Sequence, residues 1–318
     1  MQCPKCGAIA PTEDLFCEEC GTSLKVSPTK SSNECAKCGA GAEQIDPQGF
    51  CSICGFRNES GRNHLEIAVQ PNLGGVSDRG LRHHRNEDYL TLQQVEERNA
   101  YVLVVCDGVS SSSEPDLASK AAADSACLAL TDAIHQGIKS EEAMNTAFAL
   151  ALTSVCAVPY TTGVDEDPPS TTIVAAVVEN RTATIGWVGD SRAYWLSPSG
   201  SSQLTKDDSW LNEVAALGRM SEAVASHSPQ AHAITAWLGS DAGDSAKPSI
   251  VNFNIPGSGY LLLCTDGLWN YVSDPVEIAE LIQQMSEREA VSISRSFVEF
   301  ARLSGGHDNI TAAVLSFT

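Results

Sequence analysis

The chain has 318 residues, of which 42% are hydrophobic and 6% are aromatic. This composition excludes a disordered chain and leaves room for one large core and a small additional unit. The formal charge is -20, and beyond residue 62 only 14 basic residues accompany 32 acidic ones, so the chain disfavours nucleic acid and anionic lipid and favours cations.

Taken by itself, the charge is explained better by the surface of an ordinary acidic protein than by a binding function. No apolar stretch approaches the roughly 20 residues that a membrane-spanning helix needs; stretches such as residues 101–106 and 260–264 are far shorter. The amino terminus lacks the basic lead and apolar run of a secretory signal. We therefore expect a cytoplasmic protein that has no membrane segment and binds no nucleic acid.

The first 54 residues contain four Cys-x-x-Cys pairs, each followed by glycine. A two-residue spacing lets one tight turn direct both thiolates at one metal ion, and the glycine relieves the backbone of that turn. The first and third pairs start 32 residues apart, which indicates a tandem duplication. The pairs are Cys3/Cys6, Cys17/Cys20, Cys35/Cys38 and Cys51/Cys54.

Each half of this segment resembles a zinc ribbon, so we predict two structural Zn²⁺ ions, one in residues 1–26 and one in residues 33–57. The alternative is a disulfide framework, which would require an oxidising compartment. Metal binding would supply most of the folding free energy of such short units. The segment is mildly acidic, which disfavours DNA, so we expect the ribbons to dock a protein partner.

Beyond residue 64, apolar runs rich in β-branched residues alternate with helical patterns. Strands outnumber helices and many connections have hairpin length, which favours a layered α+β fold over a doubly wound parallel sheet. We predict helices at residues 116–135, 141–158, 275–285 and 288–303. We predict strands at residues 66–70, 101–106, 172–178, 182–188, 193–196, 250–255, 260–264 and 309–317.

Acidic motifs follow or precede several of these strands. One such motif is weak, because Asp-Gly is also a common hairpin turn. Together they predict a site for hard divalent cations, which need several converging carboxylates held on a rigid sheet. The motifs are Asn86-Glu87-Asp88, Cys106-Asp107-Gly108, Gly189-Asp190-Ser191-Arg192, Thr265-Asp266-Gly267 and Gly305-Gly306-His307-Asp308-Asn309.

Seven motifs in order make the chain resemble the type 2C metal-dependent protein phosphatases over residues 66–317. They are Ser-Asp-Arg-Gly-Leu with Asn-Glu-Asp (77–88), Asp-Gly (107), Ser-Thr-Thr (170–172), Val-Gly-Asp-Ser-Arg (188–192), Leu-Leu-Leu-Cys-Thr-Asp-Gly-Leu (261–268) and Gly-Gly-His-Asp-Asn-Ile-Thr (305–311). The resemblance implies an αββα sandwich of two antiparallel sheets flanked by helices, formed by residues 64–318.

The resemblance also implies a site that holds two Mn²⁺ or Mg²⁺ ions, with a third, weaker ion at Asp190. Asp107 would bridge two ions, the carbonyl of Gly108 would bind one of them, and Asp266 and Asp308 would bind the other. Glu87 and Asp88 would complete the coordination. Two such ions lower the pKa of a bound water, which then attacks the phosphorus of phosphoserine or phosphothreonine in a protein substrate.

The chain departs from the family where an arginine normally binds the substrate phosphate, three residues before Asn-Glu-Asp. His83 stands at this position. We expect Arg82 or Arg85, which flank it, to contact phosphate instead; the alternative is that both arginines only pair with the acidic surface. The loop after Asp107-Gly108 is Val-Ser-Ser-Ser-Ser and lacks the histidine of animal members, so the general acid is left open.

Cysteine-based catalysis is excluded, because neither Cys106 nor Cys264 is followed by arginine at the spacing of a cysteine phosphatase. We expect these two residues, with Cys127 and Cys156, to be small core residues. The sequence thus predicts an active serine/threonine phosphatase. The alternative function is a catalytically weak, phosphatase-like scaffold that binds phosphoprotein and recruits partners through its ribbons.

Overall fold

The structure is a computed structural model that describes residues 35, 38–45, 51–55, 61–161, 167–218 and 220–317. The chain divides into two compact units, Met1–Ser60 and Gly61–Thr318. The first predicted ribbon, with Cys3, Cys6, Cys17 and Cys20, lies outside the described residues. Within the part of the chain that the structure describes, no helix has the length and apolar character needed to cross a membrane.

The second unit is built from two antiparallel sheets. Its strands are β1 (His64–Gln70), β2 (Leu73–Asp78), β3 (Tyr89–Val95), β4 (Ala100–Cys106), β5 (Ser170–Thr171), β6 (Ile173–Glu179), β7 (Thr182–Val188), β8 (Arg192–Leu196), β9 (Ser202–Gln203), β10 (Leu238–Gly239), β11 (Ser249–Asn254), β12 (Gly259–Cys264) and β13 (Ile310–Phe317). The first sheet has the order β1-β2-β13-β12-β8-β9, and the second has the order β11-β7-β6-β4-β3. Strands β5 and β10 form a separate two-stranded ladder.

Seven α-helices accompany these strands within the described residues. They are α1 (Pro115–Gln136), α2 (Ser140–Cys156), α3 (Trp210–Ala216), α4 (Glu222–Ala225), α5 (Asp266–Trp269), α6 (Pro275–Gln284) and α7 (Ala290–Leu303). Proline at the first position and a left-handed glycine at the end, Gly137, delimit α1, as expected from the backbone preferences of the two residues. The side chain of Asp274 caps α6 by accepting hydrogen bonds from two backbone amides.

Three apolar layers hold the second unit together. One lies between the two sheets and contains Leu103 and Leu263. Another joins the second sheet to α1 and α2, whose alanines allow close packing. The third joins the first sheet to α6 and α7 around Phe297. The predicted αββα sandwich is therefore confirmed.

All eight predicted strands and all four long predicted helices are present, with ends shifted by at most two residues. The prediction missed β2 and β3, and also the two-residue strands β5, β9 and β10 and the short helices α3, α4 and α5. Strand β2 reads Leu-Gly-Gly-Val-Ser-Asp and is fully buried, a position where glycine is normally unfavourable. Glycine fits here because a Cβ at Gly74 would lie only 2.6 Å from the backbone nitrogen of Val291.

The expectation that all four remaining cysteines are core residues is wrong for one of them. Cys106 and Cys264 are buried and Cys127 is partly buried, but Cys156 is exposed. Cys156 is the last residue of α2, and the buried positions of this helix follow a different face that ends at Val155.

Candidate active site

The strand register brings the acidic motifs to one end of both sheets. In the second sheet Tyr89, which follows Asp88, pairs with Cys106, which precedes Asp107. In the first sheet Cys264, which lies two residues before Asp266, pairs with Ala312, four residues after Asp308. Antiparallel pairing therefore places residues that are far apart in sequence beside one another.

Asp88 is enclosed where the two sheets meet. Its side chain is only 1% exposed, and its Oδ2 accepts hydrogen bonds of 2.8 Å from the hydroxyls of both Thr265 and Thr311. Its Oδ1 is also buried but has no hydrogen-bond partner among the described residues. A buried carboxylate oxygen without a donor is costly, so this atom is suited to a cation or to a water bound to one.

The loop of Asp107 and Gly108 is fixed by its backbone. The carbonyl oxygen of Asp107 accepts hydrogen bonds of 2.8 Å from the Thr171 hydroxyl and from the Thr172 amide. The amide of Gly108 donates to the carbonyl of Glu87 at 3.2 Å. A Cβ at Gly108 would clash with the carbonyl oxygens of Glu87 and Pro115, so glycine is required for close approach, not for a hairpin turn.

Asn309 joins the loops that carry the outer acidic residues. Its Oδ1 accepts a hydrogen bond of 2.8 Å from the amide of Glu87, and its Nδ2 donates to the carbonyls of Arg79 and Arg85. Its own amide donates to Asp308 Oδ1 at 2.8 Å. Asn309 belongs to one of the acidic motifs, but the sequence predicts no role for it. The structure shows that it positions both Glu87 and Asp308.

Asp266 and Asp190 complete the cluster. Asp266 is the first residue of the short helix α5, and its Oδ2 accepts a hydrogen bond of 3.2 Å from Asn270. The carbonyl of Asp190 accepts a hydrogen bond of 3.0 Å from the indole of Trp269. The same indole packs against the guanidinium of Arg192, which lies 3.7 Å from the ring centroid.

The acidic cluster comprises Asp88, Asp107, Asp190, Asp266 and Asp308, and burial together with neighbouring charges raises the pKa of its first four members. Burial and then the charges of Asp308 and Asp266 raise the pKa of Asp88 to about 8. Burial and the charge of Asp308 raise the pKa of Asp266 to about 7. The pKa of Asp107 is raised well above its ordinary value by burial and by Asp88, Asp266 and Asp308. Burial and the charge of Asp266 do the same for Asp190.

These observations fit divalent cations. Clustered carboxylates are unfavourable in the ionised form unless positive charge compensates them, and an all-oxygen donor set suits Mn²⁺ and Mg²⁺. Among the described residues, no three carboxylates of the cluster bring one oxygen each to within 4.8 Å of one another. Such spacing is expected where water supplies part of the coordination, as Mg²⁺ in particular prefers.

The two arginines proposed for phosphate differ in their surroundings. Arg85 forms ion pairs with Glu87, at 3.0 Å, and with Asp116, at 3.2 Å, while its side chain remains 47% exposed. Arg82 is exposed. Arg85 also lines a polar cavity of about 310 Å³ with the serine loop 111–113 and Tyr160. Phosphate contact by either arginine remains a prediction, and Arg85 is the one that lies beside the cluster.

Arg62 is a further residue of the site, for which the sequence predicts no role. Its guanidinium donates hydrogen bonds to the carbonyls of Asn86, Asp88 and Asp116 and to the hydroxyl of Ser119. Burial lowers its pKa. Arg62 therefore ties the loop of Glu87 and Asp88 to the start of α1, and nothing in the spacing of the sequence indicates this.

The second predicted ribbon brings four cysteines together. The Sγ atoms of Cys35 and Cys54 are 3.6 Å apart, and so are those of Cys38 and Cys51. Sulfur ligands about 2.3 Å from one Zn²⁺ in a tetrahedron would be separated by about 3.8 Å, so the group fits zinc. In both turns the following glycine has a positive φ, 74° at Gly39 and 66° at Gly55, as the sequence analysis predicted.

Comparison with known proteins agrees with both parts of the chain. The family described as Protein phosphatase 2C matches residues 80–300, and the family described as Double zinc ribbon matches residues 3–55. The serine/threonine phosphatase stp of Listeria monocytogenes serotype 4b is 30% identical over 244 residues, covering 75% of this chain and 93% of that protein. PstP of Mycobacterium tuberculosis is 28% identical over 238 residues, covering 75% of this chain and 43% of that protein.

Solved structures share the sandwich. Stp1 from Staphylococcus aureus, a serine/threonine phosphatase, aligns with a TM-score of 0.66 at 25% identity and covers 80% of this chain and 98% of its own. The PstP/Ppp phosphatase of Mycobacterium tuberculosis aligns with a TM-score of 0.59 at 24% identity over 80% of this chain and 98% of its own, which supports the fold.

Proposed function

This chain belongs to the protein phosphatase 2C family, and we propose from that membership and from the acidic cluster that it hydrolyses phosphoserine and phosphothreonine in proteins with the aid of Mn²⁺ or Mg²⁺. The observation that carries the proposal is the convergence of Asp88, Asp107, Asp266 and Asp308. Burial and the charges of neighbouring carboxylates raise the pKa of Asp88, Asp107 and Asp266, which supports a site that needs added positive charge.

We assign the cation ligands as follows. Asp107 and the carbonyl of Gly108 would hold one ion, and Asp107, Asp266 and Asp308 would hold a second. Glu87 and Asp88 would complete the coordination directly or through water, and Asp190 would hold a third ion. When bound, such cations lower the pKa of coordinated water and offset charge on the phosphoryl oxygens.

The protein's own contribution is to hold these groups and to receive the substrate. Thr265 and Thr311 fix the Asp88 carboxylate, and Asn309 fixes the Glu87 and Asp308 loops. Arg85, which lines the polar cavity and forms an ion pair with Glu87, is placed to contact the phosphate or acidic residues of a phosphoprotein. Preorganised groups of this kind need no rearrangement during the reaction.

Turnover of para-nitrophenyl phosphate and of a phosphothreonine peptide with Mn²⁺ tests the proposal. Asp107→Asn should lower kcat about 100-fold or more, because the loss of a bridging ligand removes several kcal/mol of charge stabilisation. Asp132→Asn, an exposed change on α1 away from the cluster, is the matched control and should leave kcat unchanged. Equal turnover by wild type and Asp107→Asn would instead support the phosphatase-like scaffold.

For the amino-terminal unit we propose two structural Zn²⁺ ions and the docking of a protein partner. The Cys35, Cys38, Cys51 and Cys54 group supports the zinc in the second ribbon. Ile53, between two of these cysteines, is 67% exposed, and an exposed apolar side chain on a rigid metal-bound turn is suited to a partner's apolar pocket. Ile53→Ser should weaken capture of such a partner while zinc content stays unchanged.

A further inference from the structure

His83 lies between two residues of the candidate active site. Its Nε2 is 3.2 Å from Asp308 Oδ1, and its Nδ1 is 3.8 Å from Glu87 Oε2. The side chain is 26% exposed, whereas its neighbour His84 is exposed and forms no hydrogen bond or ion pair with other described residues. Only the first of the two histidines is therefore built into the site.

The backbone that carries His83 is fixed from both sides. Its carbonyl accepts a hydrogen bond of 3.2 Å from Arg79, whose own carbonyl accepts from Asn309. Gly80, with φ of 71°, allows the turn that starts this loop and packs against the carbonyl of Asp308. The imidazole is thus held beside Asp308 by the same residue, Asn309, that positions the carboxylate.

The separation of Nε2 and Oδ1 matches that of two neighbouring ligands of one ion. Ligand atoms 2.0–2.2 Å from a divalent cation and at right angles to each other are about 3 Å apart. An imidazole nitrogen is a good ligand for first-row transition metals, whereas Mg²⁺ takes oxygen ligands almost exclusively. A histidine at this point would therefore change which metal the cluster prefers.

We propose that His83 binds, through Nε2, the divalent cation held by Asp308, and that it biases the site toward Mn²⁺ over Mg²⁺; this rests on the proposed function. The residue does not replace the family's phosphate-binding arginine in that role, because its Nε2 faces Asp308 Oδ1. Phosphate recognition then depends on other groups, among them Arg85, which forms an ion pair with Glu87.

Pulsed electron paramagnetic resonance of the full chain, with zinc retained and Mn²⁺ added, tests the assignment directly. A ¹⁴N hyperfine coupling to Mn²⁺ should be seen in wild type and should change to a ¹⁵N pattern when histidine is ¹⁵N-labelled. The coupling should be lost in His83→Asn and in His83→Arg and retained in His84→Asn, the matched control. The labelling experiment needs no variant, so misfolding of a variant would not mask the result.

Metal affinity gives a second measurement. By titration calorimetry, His83→Asn should weaken Mn²⁺ binding about tenfold or more and Mg²⁺ binding much less, so that the Mn²⁺ preference falls. Bound Mn²⁺ without nitrogen coupling, or a coupling that persists in His83→Asn, would overturn the assignment and leave the proposed function intact. Wild type that binds no Mn²⁺ would overturn both.

A role in phosphate binding gives the opposite pattern. His83→Asn would then weaken inhibition by inorganic phosphate while the Mn²⁺ spectrum and affinity stay those of wild type. That result would also overturn the metal assignment, because the imidazole would be shown to face the substrate and not the ion.

Discussion

At the scale of one residue, the buried carboxylate of Asp88 suits the proposed cation site but lowers the stability of the fold when it is ionised. Its carboxyl is buried between the sheets, and burial and the neighbouring Asp308 raise its pKa from 3.8 to about 8. A raised carboxyl pKa means that the folded state binds protons more tightly than the unfolded state does. The Asp88 contribution to stability is therefore favourable below about pH 4 and is lost as the pH rises toward about 8.

Asp88→Asn should remove this dependence. In protein that retains zinc but is freed of Mn²⁺ and Mg²⁺, the unfolding temperature of wild type should fall between about pH 5.5 and 8.5, and that of the variant should fall less. At pH 8.5 the variant should be the more stable, because its neutral amide can still accept from Thr265 and Thr311. Calorimetry measures both, and parallel curves for the two proteins would contradict the interpretation. Asp132→Asn serves as the control.

The individual acidic residues could be predicted because each stands at the end of an apolar strand. Asp107 directly follows its strand and Asp266 follows a similar strand after one threonine, and this pattern needs no knowledge of the fold. Arg62 could not be predicted, because its partners lie 24 to 57 residues away and three of the four acceptors it contacts are backbone carbonyls, which every sequence provides. The contact of His83 with Asp308 could not be predicted either, since it depends on how two loops meet.

At the scale of elements, the loop that precedes β3 depends on contacts from outside it. Arg62 donates to the carbonyls on both sides of Glu87, and Asn86 donates back to the Arg62 carbonyl at 3.1 Å. The ring of Tyr89 adds a cation–π contact, 4.9 Å from the guanidinium to the ring centroid. The geometry of the Glu87 and Asp88 ligands is thus set by a residue that precedes β1.

Arg62→Ala should destabilise the protein by about 2–4 kcal/mol, because several buried acceptors lose a charged donor. It should also weaken Mn²⁺ binding, since the loop that carries Glu87 and Asp88 is less constrained.

Arg98→Ala is the control. Arg98 makes a single exposed hydrogen bond to the carbonyl of His135, and the loss of this bond should cost less than about 1 kcal/mol. Denaturant unfolding and Mn²⁺ titration measure the two effects. Unchanged Mn²⁺ affinity in a destabilised Arg62→Ala protein would limit the residue to a structural role.

A strand or helix was predictable from the sequence where its hydrophobic pattern and its length indicate the same kind of element. It was not predictable where side-chain packing outweighs the residues' own propensities. The buried runs of β4 and β12 are continuous and apolar, and the amphipathic α7 buries one face around Phe297. Strand β2 was missed because its two glycines contradict strand propensity; a Cβ at Gly74 would clash with Val291 on α7. Strand β3 was missed because its alternation of buried Leu90 and Leu92 is broken by two glutamines.

At the scale of the whole molecule, the two units are stabilised by different physical means. Three apolar layers contributed entirely by residues 65–317 hold the second unit together. In the described part of the first unit only Cys35 and Cys51 are buried apolar residues, so within that part a hydrophobic core contributes little. Zinc is therefore expected to supply most of the folding free energy there, on the order of 10 kcal/mol or more for each site.

Cys51→Ser tests this division. The variant should contain about one Zn²⁺ per chain in place of about two, because a structural site that loses one of four thiolates binds the ion far less tightly. Zinc released on denaturation can be measured with a chromogenic chelator. The first unit of the variant should also become sensitive to limited proteolysis near the second ribbon, since the turn at Cys51 and Cys54 would have no ion to hold it.

Cys156→Ser, which changes an exposed cysteine of α2, is the control and should leave both the zinc content and the digestion pattern unchanged. An equal loss of zinc in the two variants would show that the ribbon cysteines do not bind the ion.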